Sequence, residues 1–103
     1  MKAWLPLLLL SCVPSLAPAQ DRPVDLTGRN LAATCASCHG TQGRARGPAM
    51  PPLAGMPADA LLARLADYRS GRQPGTVMPQ IVKGYSEEQL RLVAAYFAAQ
   101  PKP

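Results

Sequence analysis

Residues 35–39 read Cys-Ala-Ser-Cys-His, and no other feature of the chain restricts its fold so tightly. Two cysteines three positions apart in a helix lie on one side of it, about one turn from each other. His39 follows Cys38 directly and sets an imidazole beside both thiols. A thioredoxin-like redox pair needs a strand that feeds a helix, and no strand pattern precedes Cys35. A zinc site needs about four ligands, whereas His39 is the single histidine of the chain. A plain disulfide, common in exported proteins, gives the adjacent histidine no part. The pattern C-x-x-C-H is the attachment signature of c-type haem: each thiol adds to one vinyl group, and the imidazole binds the iron. One covalent haem c held by Cys35, Cys38 and His39 is the expectation.

The remainder of the chain reads as helices and loops. A first helix is expected from near Thr27 to about Cys38, with Leu31, Cys35 and Cys38 on one face. Residues 39–57 carry Gly40, Gly43, Gly47, Pro48, Pro51, Pro52, Gly55 and Pro57, which fit no regular element. So long a loop is rare in a compact domain unless something organises it, and a large cofactor would. A second helix is expected over Ala58–Ser70, started by Pro57 and stopped by Gly71, with Leu61, Leu65 and Tyr68 as its apolar stripe. A second loop, residues 71–84, includes Pro74, Gly75 and Pro79, with a turn of helix at Gln80–Lys83. Ser86-Glu87-Glu88-Gln89 is a capping box that opens a third helix, in which Leu90, Val93, Ala94 and Phe97 recur at helical spacing. Tyr96 and Phe97 are expected to pack this helix on the first. The expected fold is all-α, three main helices wrapped around one haem. A chain this short is marginal without help, and a planar apolar ligand would complete its core.

The second axial iron position cannot be a histidine of the same chain. The candidates are Met50, Met56, Met78 or an open site, and each methionine precedes a proline, so backbone bias does not separate them. Layout favours Met78. An iron-bound imidazole usually donates its other N–H to a carbonyl. The Gly47-Pro48 segment is expected to supply that carbonyl, which puts Met50 on the histidine side. Met78 stands in a different loop that can cross to the far side. Met50 and Met56 then fill gaps at the haem edge. Tyr68, Arg69, Arg72 and Tyr85 are candidates for the haem propionates, and Arg44 and Arg46 for a partner surface.

The first residues read as an export signal. Lys2 precedes an apolar run with Leu5 and Leu7–Leu10, and Ala17-Pro18-Ala19 gives a small-x-small cleavage pattern. The expectation is a signal peptide over 1–19, a single domain over 20–103, and a periplasmic location. Leu9-Leu10-Ser11-Cys12 offers a looser alternative, in which lipidated Cys12 would anchor the protein to a membrane. The full chain has 11 Lys+Arg against 6 Asp+Glu, a net charge of +5. Its cations are scattered, and no basic run of the kind that marks nucleic-acid binding occurs. A weak preference for an acidic partner surface follows.

Gly28 to Gln100 resembles a class I c-type cytochrome, through the attachment motif, Gly47-Pro48, Met78 in its loop and the final helix with Tyr96-Phe97. More narrowly, Cys38-His39-Gly40-Thr41-Gln42-Gly43, Pro52-Leu53-Ala54-Gly55 and Ile81-Val82-Lys83-Gly84-Tyr85-Ser86 are similar to the haem subunits of flavocytochrome c sulfide dehydrogenases and related small bacterial cytochromes. The resemblance implies a small cytochrome c fold, His39/Met78 ligation with Pro48 beside the haem, and electron transfer to or from a redox protein such as a flavoprotein. Some of those subunits hold two haem domains; this chain has one attachment motif. It has no evident acid–base pair or nucleophile, so an enzyme in its own right is not expected. A ligand-binding haem protein, a gas sensor or small peroxidase with an open or labile sixth site, is the alternative.

Overall fold

The computed structural model describes Met1 and residues 26–103. The expected signal peptide and cleavage site and the lipidation candidate Cys12 lie outside the described residues, apart from Met1. From Leu26 to His39 the backbone is helical: α1 (Leu26–Ala32), a 3-10 turn (Ala33–Cys35) and α2 (Ala36–His39). The first helix therefore forms where its apolar spacing places it, but with a tightened middle. A 3-10 residue advances about 120° instead of 100°, so the face shared by Leu31 and Cys35 drifts before Cys38. Leu31 and Cys35 pack against the core, whereas Cys38 is exposed.

Helix α3 spans Ala58–Ser70, as its flanking Pro57 and Gly71 predict, and buries Leu61 and Leu65. Helix α4 spans Met78–Lys83 and begins two residues before the expected turn. Pro79 does not prevent this. In the first turn its missing N–H would have had no partner anyway. Helix α5 spans Glu87–Ala98 and has the predicted capping box. The Gln89 N–H donates to Ser86 Oγ at 3.1 Å, and the Ser86 N–H donates to Gln89 Oε1 at 2.9 Å.

The core is one cluster of Ala32, Leu53, Leu61, Leu65, Val82, Leu90, Val93, Ala94 and Phe97. Helix α5 is its centre, packing on both α1 and α3, while α4 lies on α3. Buried Gly28 and Ala32 on α1 face an α5 whose Ala94 is wholly covered. Phe97, 1% exposed, contributes about 2–3 kcal/mol by its burial. No strand occurs among the described residues, and none of their helices is long and apolar enough to cross a membrane.

The loop after α2 is organised by its own backbone before any ligand is considered. A short 3-10 turn (Thr41–Gly43) leads into it. The Gly43 carbonyl then accepts two bonds, from Leu53 N–H at 2.9 Å and Ala54 N–H at 3.1 Å, and the Gly55 N–H donates to Phe97 O at 2.9 Å. Residues 44–52 thus form a loop pinched at its base and fastened to the end of α5.

Candidate functional site

His39 is the one buried polar or charged side chain among the described residues. It ends α2, directly after the thiol pair. Its Nδ1 lies 2.8 Å from the Pro51 carbonyl oxygen. A carbonyl can only accept, so Nδ1 carries a proton, and in the neutral ring Nε2 is the nitrogen with a free lone pair. This is the polarised, oriented imidazole that a metal ligand requires. The acceptor is not the Gly47-Pro48 segment, as the sequence led us to expect. Pro48 is exposed, just past the turn that Gly47 makes at φ +74°. Pro51 precedes another proline, which keeps it extended, and the next two N–H groups are tied to Gly43. That tether turns the Pro51 carbonyl inward to the ring.

Cys35 is half-buried and Cys38 exposed, and both thiols are free. Burial pushes the Cys35 thiol above its ordinary pKa; a backbone hydrogen bond opposes the shift and the nearby Cys38 adds to it. A thiol so held stays protonated. That is the reverse of the depressed pKa that a thiol–disulfide catalyst needs. Nor does any group of three His, Cys, Asp or Glu gather to hold a metal ion among the described residues. The donor set suits a haem: two unpaired thiols on one helical stretch, followed by an imidazole with one nitrogen free.

Met78 is the first residue of α4, half-buried and packed against the core. Val82, one turn later on the same face, is 1% exposed, so this face of α4 looks inward. Met56 also packs on the core edge, while Met50, half-buried in the loop, does not. The propionate candidates have partners within the protein. Arg69 Nη2 donates to the Val82 carbonyl at 3.1 Å and to the Tyr85 carbonyl. The Tyr85 hydroxyl reaches Leu31 O at 3.1 Å and Thr34 Oγ1 at 3.0 Å. Arg72 pairs with Asp67 at 2.7 Å, and Tyr68 packs on the core. Arg44 and Arg46 are exposed, with Arg44 Nη2 donating to Pro101 O at 3.4 Å. Sequence reasoning missed the clasp that Arg69 and Tyr85 make, because its acceptors are backbone carbonyls and leave no residue-type signal.

Two free thiols about one helical turn apart, followed at once by an oriented imidazole, form the arrangement of a c-type cytochrome domain. The chain belongs to the family described as cytochrome C oxidase, cbb3-type, subunit III, which matches residues 25–97. It is 34% identical to the cytochrome subunit of sulfide dehydrogenase from Chlorobaculum tepidum, over 94% of this chain and 93% of that one. It is 32% identical to cytochrome c4 of Azotobacter vinelandii, over 96% of this chain and 50% of that protein. In structure it superposes on the thiosulfate dehydrogenase TsdBA of Marichromatium purpuratum with a TM-score of 0.70 at 36% identity. That match covers 84% of this chain and 22% of the larger one. The chain is accordingly an electron-transfer protein with covalent haem c as its cofactor, and not an enzyme by itself.

Proposed function

We propose that the chain is a periplasmic one-electron carrier, or the haem subunit of a dehydrogenase, with its haem iron held between His39 and Met78. Bound through thioethers to Cys35 and Cys38, haem c supplies reversible chemistry between Fe(II) and Fe(III). The observation that carries the proposal is the buried His39 ring with Nδ1 on the Pro51 carbonyl, which leaves Nε2 to the iron. Met78 brings a soft thioether sulfur from a separate element, and such a ligand raises the reduction potential. Its half-buried seat on the core supports a fixed place for that sulfur. The electron donor in this reading is a dehydrogenase such as a flavoprotein sulfide dehydrogenase. Support comes from the near full-length likeness to a cytochrome subunit of sulfide dehydrogenase. Export through residues 1–19 would leave one domain, 20–103, in the periplasm; lipidation at Cys12 is the alternative route. The test is the optical spectrum of the reduced protein with and without carbon monoxide. A sharp low-spin c-type spectrum that the gas leaves unmoved is expected. A high-spin spectrum, or rapid conversion to a carbonyl form, would make the site open and the protein a ligand binder.

A further inference from the structure

Helix α4 has six residues, too few to hold a helix by propensity alone. Yet it begins with Met78, whose sulfur must stay at a fixed place if it is to bind iron. Core burial of Val82 fixes one face of α4. Its C-terminal end is fixed differently. A single guanidinium nitrogen, Arg69 Nη2, bridges the carbonyls of Val82 and Tyr85. A cation there adds a side-chain donor at the helix end, where it complements the helix dipole. Arg69 stands near the end of α3, so it ties α4 to that longer helix. The next link is Tyr85, whose carbonyl takes the bond from Arg69 while its hydroxyl reaches Leu31 O and Thr34 Oγ1. Thr34 immediately precedes Cys35 in sequence. The chain of bonds therefore runs from α3, through the end of the methionine-bearing helix, to the helical stretch that carries both thiols and His39.

We infer that Arg69 and Tyr85 are positioning residues that clasp the helix bearing Met78 to the helical stretch bearing Cys35, Cys38 and His39, and so hold the sixth iron ligand in place. The inference rests on the reading of Met78 as that ligand. Neither residue touches the iron in this account; both act through Met78. Loss of the clasp leaves α4 held by the packing of Val82 and Met78 without its polar ties, and so loosens its first residue at the site.

The experiment compares the holoprotein with Arg69→Gln, Arg69→Lys, Tyr85→Phe and Met78→Ala. Three quantities are read: the rate of carbon monoxide binding to the reduced form, the far-red methionine-to-iron band of the ferric form, and Tm. Hydrogen bonds from a charged group are worth enough to hold a ligand about tenfold more firmly. Arg69→Gln should therefore bind carbon monoxide about tenfold faster than the native protein, and Tyr85→Phe, which loses only a neutral hydrogen bond, about fivefold faster, both with lower intensity in the methionine band. Arg69→Lys, which keeps the cation, should recover part of both. Should Arg69→Gln fail to fold, Tyr85→Phe, which removes one oxygen and keeps the ring, decides alone. A fall in Tm with carbon monoxide binding and the methionine band unchanged would overturn the clasp and leave Met78 ligation standing. Native protein that binds the gas as fast as Met78→Ala would instead remove Met78 as ligand, and the clasp would fall with it.

Discussion

Gly43 and Gly47 offer a matched pair for separating backbone strain from crowding. Their φ angles are +75° and +74°, so an alanine at either meets the same left-handed penalty, about 1–2 kcal/mol. Their surroundings differ. A Cβ at Gly47 would meet nothing within 4 Å. At Gly43 it would stand 2.7 Å from Ala54 N, 2.9 Å from Leu53 Cβ and 2.9 Å from Phe97 Cδ1. None of these can easily retreat, since the Ala54 N–H is bonded to Gly43 itself and Phe97 is 1% exposed. Forcing a methyl into such packing adds about 1–3 kcal/mol. Gly43→Ala should thus cost about 2 kcal/mol more than Gly47→Ala, which for a domain of this size is a gap of roughly 8–16 °C in Tm. The assay is thermal unfolding of both holoproteins by circular dichroism, at one pH and in one oxidation state. Equal losses would mean that positive φ accounts for everything, and that the pinched base of the loop is not packed as described.

Two further outcomes follow from the core and the caps. Phe97→Ala removes the largest fully buried side chain and should cost about 3–5 kcal/mol, read as a lower urea midpoint with the slope unchanged. Ser86→Ala breaks the bond from the Gln89 N–H and should cost about 1 kcal/mol, read as a small fall in Tm with no change in the reduced haem spectrum.

Helix identity was legible wherever a start signal, an apolar spacing and a stop signal agreed. Ala58–Ser70 shows all three, as does the helix opened by Ser86, and both formed as expected. Helix α4 was seen in part because Pro79 reads as a breaker unless its place in the first turn is known. The 3-10 turn at Ala33–Cys35 was not foreseen; periodicity assumes one winding throughout, and three residues of tighter winding are too few to disturb the pattern. At the site, the thiols and His39 were legible because side-chain chemistry identifies them. The Pro51 acceptor and the Arg69 clasp were not, because both depend on carbonyls, and every residue has one. The long loop is closed at its base by two backbone bonds to the Gly43 carbonyl, another tie that no residue type announces.

The packing of α1 on α5 joins the two ends of the described chain. Contacts so far apart in sequence must overcome the full loop-closure entropy before they return anything. A chain emerging from its N-terminal side therefore cannot finish the core until α5 exists, since Phe97, Val93 and Ala94 are what α1 and the loop close upon. Cys35 and Cys38 belong to the stretch that waits. The stretch that bears the thiols and the core it packs on thus depend on one long-range contact, and a chain cut before α5 would leave Leu31 and Cys35 without the surface that holds them.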